Sequence, residues 1–114
     1  MNKINLTINK KKITFRLGLG VIGEVTNTFG IKQEDVINNC ASNAFYYVPR
    51  IMYCSLKYNH IRSGEVFEQD YNGFLDEMEK DKYFYTKPLV KFLEAFINSI
   101  NVDLPNDDVD SKKK

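Results

Sequence analysis

Ile4-Asn5-Leu6-Thr7-Ile8, then Asn9-Lys10-Lys11-Lys12, then Ile13-Thr14-Phe15-Arg16-Leu17 is the stretch on which the fold turns. Ile4, Leu6 and Ile8 alternate with polar residues, and Ile13, Phe15 and Leu17 do the same. A period of two is what a half-buried strand requires. The polar segment between the two stripes is short enough for a hairpin loop. Residues 3–8 and 12–17 are therefore expected to form a β-hairpin with one apolar face. A lone hairpin is marginally stable, so that face must pack on the rest of the chain or on a partner.

Outward from the hairpin the period changes to that of helices. Residues 19–29 are expected to form a short helix closed by Gly30, although Gly20 and Gly23 weaken it. From Lys32, the residues Val36, Ile37, Cys40, Ala41 and Ala44 share one helix face. Pro49 is expected to interrupt, because it fits the first turn of a helix better than its interior. A further helix is placed at 48–59, with Ile51, Met52, Ser55 and Leu56 on its inner side, followed by a loop at 60–64. Tyr71, Phe74, Leu75 and Met78 predict the next helix. Thr86 is a candidate N-cap for the last, with Pro88 in its first turn and Leu89, Leu93, Phe96, Ile97 and Ile100 as its stripe. The expected class is α+β: a small, mostly α-helical domain over residues 1–102 with an N-terminal β-hairpin. Residues 103–114, polar and charged, are expected to form a flexible tail.

Composition bounds the function. The 114 residues suit one small domain. Sixteen basic against fifteen acidic side chains leave a formal charge of +1, without the basic excess of a dedicated nucleic-acid binder. No apolar run approaches the ~18 residues of a membrane span, and no signal peptide is expected. Cys40 and Cys54 do not make a disulfide framework, so a reducing cytosol is the default.

Few residues offer reactive chemistry. Gly18-Leu19-Gly20-Val21-Ile22-Gly23 fits G-x-G-x-x-G after a strand, the pattern that lets a helix N-terminus approach a pyrophosphate. The context of a parallel βαβ unit with an acid for the ribose is missing, so the glycines read better as a tight, closely packed turn. Cys40, Cys54 and His60 match no common zinc spacing, and one His in a loop supports no nucleophile–base pair. No catalytic residue, metal or cofactor is expected.

Charge and aromatics are more informative. Lys3, Lys10, Lys11, Lys12 and Arg16 make residues 1–16 basic, whereas residues 65–81 hold seven acids, among them Glu77, Glu79 and Asp81, against Lys80. Such segregation can match one surface to another, within a molecule or between molecules. With the free edges of the hairpin, it suggests self-association. Seven Tyr and eight Phe cluster at Phe45-Tyr46-Tyr47 and Tyr83-Phe84-Tyr85, among other places. Three adjacent aromatics cannot all face one core, so some must be exposed or lie in an interface. Phe45, Tyr47, Ile51 and Met52 surround Pro49, where two short helices are expected to meet in a groove able to take a partner's amphipathic helix.

The order of elements resembles the tail assembly chaperones of long-tailed bacteriophages. Ile13-Thr14-Phe15-Arg16-Leu17-Gly18-Leu19 stands where that family carries an F-x-F-G-L run, with Leu17-Gly18 replacing F-G. Thr28-Phe29-Gly30 ends the first helix, and the acidic Glu77-Met78-Glu79 region precedes a last apolar helix and a charged tail. The resemblance spans most of residues 3–101. It implies a small, non-catalytic protein of the host cytoplasm, absent from the mature virion, that coats the tape-measure protein during tail assembly. It also implies a possible longer form made by ribosomal frameshifting near Lys112-Lys113-Lys114. Two other classes compete. A small DNA-binding regulator would lay residues 10–12 on phosphates, but no expected helix has a basic face. A nucleotide-binding protein would use the turn from Gly18 to Gly23.

Overall fold

The computed structural model describes residues 2–103. The expected tail lies outside the described residues from Leu104 onward, and Asp103 is still helical.

The two apolar stripes pair as an antiparallel hairpin, β1 (Lys3–Ile8) with β2 (Lys11–Arg16). Its loop is two residues long rather than the three left between 3–8 and 12–17, because Lys11 already pairs with Ile8. Asn9 and Lys10 both have positive φ, 54° and 65°, as a type I′ turn demands. Ile4, Leu6 and Ile8 lie opposite Phe15, Ile13 and Lys11, so the stripes share one face. Leu6, Ile8 and Phe15 on that face are buried.

Helix α1 (Leu19–Phe29) leaves the hairpin at once. Gly18, at φ 105° and ψ −178°, makes the turn in a conformation that side chains disfavour. Gly30, left-handed at φ 71°, closes the helix as expected and returns its N–H to the Thr26 carbonyl. Helix α2 (Gln33–Asn39) is shorter than its periodicity predicted. The chain turns at residues 40–43 and enters α3 (Ala44–Arg62), which carries Pro49 inside it. The break expected at Pro49 therefore falls six or more residues upstream. Pro49 falls in the second turn, and Phe45, whose carbonyl loses its donor there, is an exposed residue. The expected loop at His60 is also helical, since α3 continues to Arg62.

Helix α4 (Tyr71–Glu79) matches its predicted stripe, with Phe74 and Met78 buried. Asp70 caps it by accepting from the Gly73 N–H at 2.7 Å. Helix α5 (Pro88–Asp103) starts on its proline. Thr86 does not cap it; its hydroxyl donates to the Tyr83 carbonyl instead. The buried side of α5 is Leu89, Phe92, Phe96 and Ile100, with Leu93 and Ile97 at the margin.

The architecture is thus α+β, with five helices and one hairpin among the described residues. Helix α3 is the axis. It packs on α1, β2 and α5, and α5 in turn covers β1. Phe15 of the hairpin meets Phe92 of α5 edge to face at 5.7 Å, which ties the two layers together.

Candidate functional site

The first turns of α3 carry Phe45-Tyr46-Tyr47. Successive residues on a helix point about 100° apart, so the three cannot share a side. Phe45 is 67% exposed and Tyr46 44% exposed, while Tyr47 is half-buried. The Tyr46 ring lies 4.9 Å from Tyr47, and Phe45 lies 5.1 Å from Tyr85 of the turn before α5.

Arg50 sits one turn beyond Tyr46 and organises these rings. Its Cζ is 3.9 Å from the centre of the Tyr46 ring, 5.0 Å from Tyr71 and 5.7 Å from Phe29. Its Nη1 donates to the Tyr46 carbonyl at 2.8 Å, close to the proline turn. A guanidinium over an aromatic face contributes about 0.5–1 kcal/mol at an exposed site, and three faces limit how it can move. Tyr85 donates its hydroxyl to the Glu79 carboxylate. Burial first, and then this hydrogen bond, push the Tyr85 phenol up to about 12. Burial also raises the Tyr71 phenol, against the opposing pull of Arg50.

Beneath this surface the rings continue inward. Tyr53 contacts Phe29, Phe67, Tyr71 and Phe74, all at centroid distances of 6.0 Å or less. Its hydroxyl donates to the Gln69 carbonyl at 2.6 Å. Tyr46 is thus joined to this inner cluster through Arg50, which limits the side-chain entropy it has left to lose on binding, whereas Phe45 rests on Tyr85. Such a surface can take apolar side chains, with Arg50 and Glu79 as polar contacts at its margin.

Of the four residues expected to line a partner surface, the structure brings together only two. Phe45 and Tyr47 lie on the aromatic surface. Ile51 and Met52 are 0% exposed and belong to the core. The reason is the continuity of α3: with no break at Pro49 the two expected short helices are one, and Ile51 and Met52 belong to the core cluster of a helix packed on α1, β2 and α5. Tyr46, Arg50, Tyr71 and Tyr85 were missed. The i, i+4 spacing of Tyr46 and Arg50 was the available signal for the first pair.

The competing sites resolve differently. In the glycine-rich turn, a Cβ on Gly20 would come within 2.6 Å of the Tyr58 hydroxyl. The close approach that the glycine permits is thus used by Tyr58, and the preceding strand is an antiparallel one. Cys40 and Cys54 are free and buried. Burial pushes the Cys54 thiol up to about 12. His60, in the last turn of α3, places Nδ1 2.7 Å from Glu65 Oε1 rather than standing in a loop. Among the described residues no cluster of His, Cys, Asp or Glu is placed to hold a metal ion, and no helix is long and apolar enough to cross a membrane. Part of the basic–acidic match falls within the chain. The Asn9 N–H donates to Asp81 Oδ2 at 2.7 Å, and Lys11 Nζ lies 3.9 Å from Glu77. The hydrogen bonds from the Asn9 and Tyr83 amides hold the Asp81 carboxyl below its usual range. No protein-family model, curated protein or solved structure matches this chain.

Proposed function

We propose that the protein is a non-catalytic assembly chaperone of the phage-tail kind, which holds apolar helices of the tape-measure protein in the host cytoplasm and is left out of the finished virion. One observation carries the reading: an aromatic surface of Phe45, Tyr46, Tyr47 and Tyr85 on which, among the described residues, Phe45 stays 67% exposed with only its edge against Tyr85. Amphipathic helices dock through spaced apolar anchors, and Tyr and Phe supply large contact area at small entropic cost. The resemblance described above supplies the client, and the surface supplies a means of holding it.

The test is co-expression with the tape-measure protein. Phe45→Ala combined with Tyr46→Ala should lower the soluble yield of the client while the variant itself keeps its wild-type circular dichroism and melting curve. Unchanged client solubility with an intact fold would overturn the reading. The gene neighbourhood gives an independent check, since a very long, coiled-coil-rich reading frame immediately downstream is expected.

A further inference from the structure

The two edges of the hairpin are not alike. The Leu17 N–H donates to the Asn2 carbonyl at 2.7 Å, which fixes the phase of the ladder. Asn2, Ile4, Leu6 and Ile8 are then the hydrogen-bonded positions of the first strand, and Lys3, Asn5 and Thr7 direct their N–H and C=O groups away from β2. On β2 the outward carbonyl of Arg16 is taken by the Ser55 hydroxyl of α3. On β1, among the described residues, no protein hydrogen bond reaches the outward backbone of Asn5 or Thr7. That edge forms one side of a groove of about 400 Å³, closed on the other side by Asp81, Tyr83, Lys87 and Lys91.

We infer that this groove takes an extended acidic peptide segment of a partner protein as a third strand. An unpaired edge offers main-chain hydrogen bonds at every second residue, and the flanking side chains set the preference. Those side chains are cationic. Lys87, over the Tyr83 ring at 4.8 Å, and Lys91 face the groove. The one acid in the lining, Asp81, is held ionised by the Asn9 and Tyr83 amides and attracts Lys87, so the two lysines leave the groove with a net positive charge that rests mainly on Lys91. A second copy of this chain fits less well. Edge-to-edge pairing of two β1 strands about a two-fold axis would bring both Lys87–Lys91 pairs to one seam, where like charges repel. An incoming strand with carboxylates at alternate positions would instead meet these lysines while its backbone pairs with Asn5 and Thr7. This site is separate from the aromatic surface, so it stands or falls without the chaperone reading.

The test uses the full chain and a fluorescein-labelled peptide, Gly-Glu-Val-Glu-Val-Glu, read by fluorescence anisotropy at low salt. Saturable binding is expected, with slowed amide exchange at Asn5 and Thr7. Thr7→Pro removes one outward N–H and leaves the hairpin ladder intact, and proline is accepted on an edge strand. It should weaken binding by about tenfold or more, as loss of a main-chain contact plus a clash predicts. Lys87→Glu with Lys91→Glu, both at exposed positions, should abolish binding of the acidic peptide and let Gly-Lys-Val-Lys-Val-Lys bind in its place. If Thr7→Pro perturbs the fold, the charge swap and the Asn5 and Thr7 exchange still decide. No saturation up to about 1 mM peptide, a binding energy near 4 kcal/mol, would overturn the inference. So would tight binding that ignores both the charge swap and the edge amides. A dimer in light scattering that shields Asn5 and Thr7 would assign the edge to a second copy and overturn it as well.

Discussion

The first turn of α3, Ala44–Tyr47, and the stretch that follows it, Val48–Ser55, obey opposite rules although they share one uninterrupted helix. From Ala44 to Tyr47 the helix presents aromatic rings to solvent. From Val48 to Ser55 every residue except Arg50 is buried. The difference arises from what surrounds each stretch. The second stretch passes between α1, β2 and α5, so it has neighbours on nearly all sides. In the first turn Phe45 and Tyr46 stand out from the core, against Tyr85 and Arg50, while Ala44 and Tyr47 are only partly buried against it. Arg50 marks the boundary, its guanidinium lying over the rings of Tyr46, Tyr71 and Phe29. Burial in this helix is set by position along its axis more than by angle around it, and angle is all that hydrophobic periodicity can detect.

The largest effect that tests this division lies in the buried stretch. Met52→Ala or Ile51→Ala should cost about 2–5 kcal/mol, because each leaves a cavity in a closed core. Urea unfolding at neutral pH measures it. Phe45→Ala, six residues from Ile51, should stay within about 0.5 kcal/mol of wild type, as solvent-exposed substitutions do. Equal costs at the two positions would erase the distinction between the two stretches.

That contrast also marks how far the sequence could be read. The hairpin was legible because period two survives wherever one face is buried, and Ile4–Ile8 and Ile13–Leu17 each keep it. Its turn was harder to place. Four polar residues in a row, three of them lysine, hide which two adopt positive φ, and only Asn9 is a residue type that favours it. Helices α1, α4 and α5 announced themselves by amphipathic stripes and by Gly30 and Pro88. The turn at residues 40–43 did not, since it contains neither glycine nor proline, while Pro49 suggested a break that the fold does not make. The candidate site inherited that error. Phe45 and Tyr47 were recognised from the impossibility of burying three adjacent rings, an argument that needs no tertiary structure. Ile51 and Met52 were assigned to the same surface because a groove was expected there. Arg50, Tyr71 and Tyr85 come together from three separate elements, and no local pattern records such a meeting.

A sharper comparison comes from Ser55, at the end of the buried stretch. Its hydroxyl donates to the Arg16 carbonyl and joins α3 to the covered edge of the hairpin. Ser55→Ala removes that donor and leaves a carbonyl shielded from water, at a cost of about 1–3 kcal/mol. Melting temperature reads the loss. Amide exchange should quicken along β2 first, since the variant frees the strand edge that α3 holds. A change confined to the helix would separate α3 from the hairpin energetically.

At the boundary the effect should be smaller. Arg50→Ala removes a cation from three rings and a hydrogen bond from the Tyr46 carbonyl, for about 1 kcal/mol in all, given the exposure of the site. Arg50→Lys should recover little of it, because an ammonium cannot lie flat against Tyr46 while donating to the backbone. The more telling readout is the Tyr46 and Tyr71 ring signals in NMR. They should broaden or average when Arg50 is lost, while Phe74 in the core stays fixed.

The smallest effect concerns protons. Burial holds the Cys54 thiol in the protonated form, pushing its pKa from an ordinary 9.0 to about 12. In the unfolded chain the same thiol ionises at its ordinary value. The unfolded state therefore releases a proton that the folded state keeps, once the pH passes 9. Stability from this source is full below that value and falls as the pH rises toward 12. Tyr85, in the turn before α5, adds to the same trend, since its phenol is also raised, but solvent screens its contribution. Denaturant midpoints across this range should decline for wild type, and less steeply for Cys54→Ala after its neutral-pH cost is subtracted. A thiol reagent gives the same answer by another route. At neutral pH the folded protein should react slowly at Cys54, and fast only after denaturation, because a thiol that is both protonated and enclosed is a poor nucleophile. Rapid labelling of Cys54 in the folded protein would mean that the middle of α3 opens as readily as its first turn, and the contrast between the two stretches would be lost.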